Sequence, residues 1–443
     1  MFFTKEQMRK LIIPLLIEQL LNVTVGMVDV IMIAGTGEAA VSGVSLVDNI
    51  SVLLIEFFSA LGTGGAVVAG QYLGQKNQKK ANQAANQELL FIMIASLVVM
   101  LLFLVAHQQI LRGLFGKIDE NVMKAARTYL LITAFSIPPL ALYNGCAALF
   151  RVMGNSKITM WISLWMNIIN CAGNFILIYG AGIGVAGTAI ATTVSRYAAA
   201  LIGVILLTRK GQIIRIDRGF EFHFHRDMIQ RILFLGIPNG LENSIFQLGK
   251  IMILSLVSVC GTSAIAANAV AGNLTTLNIL PGTALGLAML SVVSVCVGAQ
   301  DYEQVRHYTR ILMRQTRFYI SIMSLFMILS AKWILTAYHL SPETALLAKE
   351  LIWYHAVCAV ICWPESFTLP NALRASNDVK FTMITSILSM WIFRIFFSYL
   401  LVKVFSFGVM GVWIAMTIDW LFRAVVFELR YLKGRWMTKY RGG

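Results

Sequence analysis

"IPLLIE", residues 13–18, returns as "IPNGLE" at 237–242, and this interval of 224 residues organises the whole 443-residue chain. At the same interval Leu61 and Gly62 meet Leu285 and Gly286, Gly74 meets Gly298, and "GVAGTAIATT" (184–193) meets "GVMGVWIAMT" (408–417). One residue off that register, "RVMGNSKITM" (151–160) meets "RASNDVKFTM" (374–383), with Arg, Lys, Thr and Met kept in place. Five islands at nearly one offset exceed what shared composition yields, so the chain reads as two homologous halves.

Each half is apolar enough to cross a membrane repeatedly. Hydrophobic residues make up 58% and charged residues 13% of the chain, with a mean hydropathy of +0.74, far outside the range of a soluble domain. A helix needs about 20 apolar residues to span a hydrocarbon core. Twelve such segments are legible at 11–34, 44–70, 89–110, 128–150, 159–180, 185–208, 232–259, 266–298, 318–339, 351–372, 381–402 and 408–429. Their lengths exclude a barrel, whose strands need only about 9 to 11 alternating residues. The expected fold is an all-α membrane protein of twelve transmembrane helices. Its N-terminal lobe is residues 1–208, a cytoplasmic linker follows at 209–231, and the C-terminal lobe is 232–443. Six helices per lobe is an even number, so both lobes enter the membrane in the same sense, related by an axis along the membrane normal. The overlong second and eighth spans carry glycines that permit a tilt or bend.

The net charge of +15 is not spread evenly. With the N-terminus taken as the first side, 25 of the 36 Lys and Arg fall on that side and seven on the other. Four lie inside spans: Arg196, Lys250, Arg394 and Arg423. This is the positive-inside pattern, which places both termini in the cytoplasm and accounts for the basicity without a nucleic-acid partner. The N-terminal apolar run is too long for a signal-peptide core and reads as an uncleaved span in the plasma membrane. The six cysteines lie in or at the ends of spans without His at metal spacing, so neither a disulfide framework nor a metal is expected. The six histidines form no HExxH, and there is no Walker A motif for ATP-driven transport; an enzyme is not expected.

Polar residues inside spans carry the functional signal. At about 100° per residue, Glu18, Asn22 and Asp29 of the first span sit at about 0°, 40° and 20°, one narrow stripe on an apolar cylinder. Such groups face a cavity or a partner rather than lipid, because a charge at the bilayer centre costs roughly 2.5–3.5 kcal/mol. Asn167, Asn170 and Asn174 of the fifth span recur at i, i+3 and i+7, again on one face, where interhelical hydrogen bonding is the competing role.

The Pro four residues before Glu18, the Asp eleven residues after it, "GTGEAAVSGVS", "GTGGAVVAGQYLG" and the paired R..GN.K.TM and R..ND.K.TM loops resemble the multidrug and toxic compound extrusion (MATE) family across essentially the whole chain. The resemblance implies two six-helix lobes around a central cavity. It also implies alternating access, and export of small molecules in exchange for protons or sodium ions, with no cofactor beyond that coupling ion. It matches Asp29, Asn170 and Asn174 to the family's cation site, with Thr192 as a neighbour. Some members carry Asp where this chain has Asn174, and the missing charge favours protons.

In the second half, Glu242 is the counterpart of Glu18 and lies near Lys250, with which a pair is expected. Glu365 sits near an acidic cation ligand of some family members and is read as a C-lobe cavity acid. Asp419, Asp48 and Glu56 carry weaker signals. Arg394 and Arg423 are expected to snorkel or to meet helix-end carbonyls. Trp161, Trp165, Trp363 and Trp391 suit a drug cavity or an interfacial belt. The expected function is a secondary exporter of cationic, amphiphilic compounds, acting as a monomer within membrane lipid. The alternative is a lipid-linked precursor flippase of the same broad superfamily, for which a more cationic cavity is expected.

Overall fold

A computed structural model describes residues 3–116, 118–216, 224–338 and 340–440. Residues 217–223 of the expected linker, together with His223 and His339, lie outside the described residues. Among those described there is no strand. Eleven of the described helices are long and apolar enough to cross a membrane, and a bent pair, taken as one span, brings the number to twelve. Apolar side chains such as Ile31, Val105 and Trp333 are 70%, 79% and 72% exposed, as lipid-facing positions require.

The chain forms two compact units, Phe3–Gly240 and Leu241–Gly443. The first holds α1 (Lys5–Ala34), α2 (Glu38–Gly74), α3 (Gln78–Phe115), α4 (Glu120–Ala134), α5 (Ile137–Val152), α6 (Ser156–Asn174) and α7 (Gly184–Leu207). The boundary falls within α8 (Arg226–Val257). The end of the expected linker, from Arg226 on, is therefore already helical, and the first half of α8 packs with the N-terminal unit. The second unit continues with α9 (Thr262–Gly298), α10 (Tyr302–Ala337), α11 (Pro342–Trp363), α12 (Leu369–Ala375), α13 (Val379–Ser389), α14 (Phe397–Tyr399) and α15 (Gly408–Leu432).

Local chemistry sets the helix ends. Thr4 Oγ1 accepts from the Gln7 backbone N at 3.2 Å while Gln7 Oε1 accepts from the Thr4 N at 2.8 Å, a reciprocal cap that starts α1. Asn77 and Asp301, 224 residues apart, cap α3 and α10 by accepting from Lys80 N and Gln304 N, each at 3.0 Å. The turns repeat as well. Positive φ occurs at Lys76 (59°) and Gln300 (57°), Gly154 (77°) and Asn377 (67°), Gly182 (68°) and Ser406 (57°), and Gly184 (50°) and Gly408 (56°). The duplication read from side chains is thus present in the backbone.

The expected span at 128–150 is not one straight helix. α4 and α5 meet at a 53° bend over Phe135 and Ser136, just ahead of Pro138 and Pro139, which suit the first turn of a new helix and not the interior of an old one. The overlong second and eighth spans are each a continuous 37-residue helix. In the N-terminal unit small residues allow backbones to touch. A Cβ at Gly62 would lie 3.0 Å from Gly145 Cα on α5, and one at Gly64 would lie 2.7 Å from Gly236 N on α8. π-helical turns interrupt the spans at Phe175–Gly180, Pro364–Thr368, Met390–Phe396 and Leu400–Val404.

Candidate functional site

Asp29 projects from the C-terminal part of α1 and accepts a hydrogen bond from Asn174 Nδ2 on α6 at 2.6 Å. The same amide reaches Asn170 Oδ1 one turn back at 3.3 Å, and Asn170 Nδ2 donates to Thr192 Oγ1 on α7 at 3.2 Å. The i, i+4 spacing of the two asparagines gives this chain its geometry, since it stacks both amides on the α6 face turned to α1 and α7. Asn170, Asn174 and Thr192 are buried, and Asp29 is half-buried. All four residues assigned to a cation site by resemblance are therefore joined through hydrogen bonds.

Three further groups complete the cluster. The Tyr129 hydroxyl on α4 lies within reach of Thr192 and donates to Asp48 Oδ1 on α2 at 3.2 Å. Asp48 and the Arg196 guanidinium on α7 both lie within electrostatic range of Asp29. Arg196 Nη1 donates to Ser136 Oγ at 2.7 Å, at the α4–α5 bend. The cluster holds two carboxylates against one guanidinium. It also presents oxygen donors suited to a hard cation, including Asn174 Oδ1, which is buried and has no hydrogen-bond partner. Such a group of side chains can take up a proton or a small monovalent cation.

The rest of the α1 stripe is separate. Glu18 is fully buried, 11 residues or about 16 Å of helix rise from Asp29. It accepts from Arg151 Nη2 at 2.5 Å and from Thr159 Oγ1 at 2.6 Å, so its carboxylate is consumed by an ion pair. Asn22 is exposed and accepts from Ser163 Oγ at 3.2 Å, and Asn167 Nδ2 donates to the Leu21 carbonyl at 3.1 Å. Neither Glu18 nor Asn22 joins the Asp29 chain.

In the C-terminal unit Glu242 accepts from Arg374 Nη2 at 2.7 Å. Its cation is thus Arg374, and not the expected Lys250, whose ammonium sits 5.1 Å from the Phe246 ring centre. Arg374 is the counterpart of Arg151, so each unit carries the same buried Glu–Arg pair. Glu365, in the π-helical turn after α11, is bound by Arg317 through Nε at 2.8 Å and by a closer contact through Nη2. Arg394 and Arg423 do not snorkel: both converge on the buried carboxylate of Asp419. Trp363 is buried, stacked at 5.1 Å on Phe367, while Trp161, Trp165 and Trp391 are exposed.

Sequence reasoning missed Tyr129, Arg196 and Asp48 as partners of Asp29, because they lie on other helices at unrelated spacings. It also passed over Glu88 on α3, which is fully buried against Gly65 with neither carboxylate oxygen hydrogen-bonded. Its position near the start of a span hid it among the polar residues of "NQE". Among the described residues no group of three or more His, Cys, Asp or Glu could hold a metal ion, and all six cysteines are free thiols.

The family model MatE matches residues 14–176 and again 238–400, and both bounds recur at the 224-residue interval. The chain is 26% identical to the uncharacterized transporter YisQ of Bacillus subtilis, over 96% of this chain and 94% of that protein. It is 22% identical to the probable multidrug resistance protein NorM of Thermotoga maritima, over 98% and 93%. Among solved structures, MATE in the straight conformation matches with a TM-score of 0.90 at 20% identity, covering 98% of this chain and 97% of that one. A MOP superfamily transporter from Pyrococcus furiosus matches with a TM-score of 0.89 at 21% identity and the same coverages. At these identities the structures establish a shared fold.

Proposed function

The chain belongs to the MatE family, the multidrug and toxic compound extrusion transporters, and from that premise we propose that it is a secondary exporter of cationic amphiphilic compounds driven by inward movement of protons or sodium ions. The observation that carries this proposal is the hydrogen-bonded chain from Asp29 through Asn174 and Asn170 to Thr192, with Asp48, Tyr129 and Arg196 beside it. A gradient does work only if a group changes state as access alternates between the two sides. Each elementary charge supplies about 2.3 kcal/mol per 100 mV. Asp29 is the group given that role. Its carboxylate accepts from the neutral amide of Asn174, whereas those of Glu18, Glu242 and Glu365 are held by arginines. Asn174 orients Asp29, and Asn170 and Thr192 hold Asn174 in place. The chain acts as a monomer in the plasma membrane with both termini in the cytoplasm.

The test uses purified protein in vesicles with an imposed pH or sodium gradient and a fluorescent organic cation. Wild type accumulates the dye under one gradient. Asp29→Asn, which keeps the shape and fixes a neutral group, binds dye but loses gradient-driven accumulation, and Asp48→Asn is milder. Accumulation by Asp29→Asn at the wild-type rate overturns the assignment. The alternative, a flippase for lipid-linked precursors, draws its support from the two guanidiniums at Asp419. It gains if the vesicles translocate a lipid pyrophosphate but no organic cation.

A further inference from the structure

The C-terminal unit buries two guanidiniums against one carboxylate. Asp419 on α15 is fully buried and accepts from Ser389 Oγ and, at 3.1 Å, from Arg423 Nε. Arg423 places its Nη2 on the Ser386 carbonyl at 3.1 Å, so its fork is engaged at both ends. Arg394 is held less closely. Its Nη1 stands 3.6 Å from Asp419 Oδ2, beyond hydrogen-bond distance, and its buried Nε has no acceptor. Both guanidinium carbons lie over the Phe246 ring, 5.2 and 5.1 Å from its centre, and Arg423 also faces Phe367 at 5.2 Å. The neighbouring acids Glu365 and Glu242 each hold an arginine of their own.

A structural role accounts for Arg423 but not for Arg394. Arg423 closes Asp419 and ties α15 to α13. A second guanidinium adds positive charge to an apolar span, where such residues face a ligand or a partner. Arg394 also lies in the π-helical turn Met390–Phe396, an irregularity frequent at functional sites. The duplication isolates what changed. Both units keep the buried Glu–Arg pair, yet Asn22 is replaced by Phe246 and Asp29 by Ile253, while Cys171, Ser195 and Ala199 are replaced by Arg394, Asp419 and Arg423. One scaffold thus carries an acidic cluster in the first unit and a basic one in the second.

We propose that Arg394, backed by Arg423 and the Phe246 face, binds an anionic group, a carboxylate or phosphate monoester, carried on an apolar molecule. A guanidinium fork meets two oxygens of such a group at once, and the aromatic rings take the adjoining apolar part. The anion belongs either to the transported compound or to a lipid headgroup. Insofar as it names part of the cargo, the inference rests on the export reading. Binding measured without any gradient separates failure of the one from failure of the other.

The experiment places the full-length protein in phosphatidylcholine nanodiscs and titrates octyl phosphate, with octylammonium as the control of opposite sign, reading tryptophan fluorescence. Trp363 and Trp420 report on the site because both rings pack on Phe367. The expected result is saturable binding of octyl phosphate that Arg394→Gln weakens by about tenfold or more, and that Arg394→Lys, with charge but no fork, restores only in part. If Arg394→Gln does not fold, Arg394→Lys decides alone, since an unchanged affinity there removes the fork from the site. Competition by added phosphatidic acid, whose headgroup is a phosphate monoester, assigns the anion to lipid, and gradient-dependent uptake of octyl phosphate into vesicles assigns it to cargo. Absence of saturable binding of octyl phosphate, an equal loss of octylammonium affinity in Arg394→Gln, or wild-type octyl phosphate affinity in that variant overturns the proposal.

Discussion

Glu18 and Asp29 share one face of α1 and look alike in sequence, but their surroundings give them different work. Glu18 meets Arg151 and Thr159 at 2.5 and 2.6 Å, and Glu242 meets Arg374 at 2.7 Å. Removing one partner of a buried ion pair strands the other charge, at roughly 3–5 kcal/mol, whereas replacing both by apolar residues is often near neutral. Glu18→Leu is therefore expected to lower the melting temperature of the purified protein sharply. Glu18→Leu combined with Arg151→Leu is expected to recover much of the loss, and neither is expected to change which ion drives transport. A Glu18→Leu protein as stable as wild type, but uncoupled, would move Glu18 into the ion site. The polar members of the Asp29 cluster on α1 and α6 were legible because a polar stripe on an apolar helix has few places to face. Asp48, Tyr129 and Arg196 were not legible, since pairing across α2, α4 and α7 follows from packing and not from any period. Asp419 and Arg423 stand at i, i+4, a readable spacing, but the second arginine that changes their meaning sits on another segment.

Glycines decide how the elements approach one another. α2 carries Gly62 against Gly145 and Gly64 against Gly236, at distances where a Cβ would strike backbone rather than a yielding side chain. Gly64→Ala is accordingly expected to destabilise the N-terminal unit by about 1–3 kcal/mol, visible as reduced detergent-stable yield and an earlier thermal transition. Gly113→Ala is the control, because nothing lies within 4 Å of its added Cβ and alanine favours the helix. Equal behaviour of the two variants would show that the α2–α8 seam tolerates separation. Element existence was legible from hydropathy, because twelve runs of spanning length leave few alternatives. The 53° bend between α4 and α5 was not, since the segment is apolar through the break and only Pro138 and Pro139 mark it. The start of α8 was also hidden, because basic residues suit a cytoplasmic loop and the end of a helix equally well.

At the scale of the molecule, the duplication and the charge asymmetry make one joint statement. A parallel repeat of six spans, as the even span count leads us to expect, would present equivalent turns to the same side of the membrane. By the positive-inside rule, the proposed cytoplasmic side is the one whose loops hold 25 of the 36 basic residues. The turns at Lys76 and Gln300 share their left-handed backbone and a side-chain cap at the next residue, Asn77 and Asp301, so they are the places where equivalence can be measured. Single cysteines at Lys79 and Glu303, 224 residues apart, and at Glu120 and Glu343, 223 apart, give two repeat-related pairs of exposed positions, in a background with the six native cysteines replaced. A membrane-impermeant maleimide applied to intact cells is expected to label Glu120→Cys and Glu343→Cys, and to label Lys79→Cys and Glu303→Cys only after permeabilisation. Opposite accessibility within either pair would mean that the halves are inverted and that the shared turns arose without shared orientation. Reversal of both pairs together would keep the parallel repeat and overturn the cytoplasmic assignment of the termini, because the first expectation rests on the six-span repeat and the second on the lysines and arginines alone.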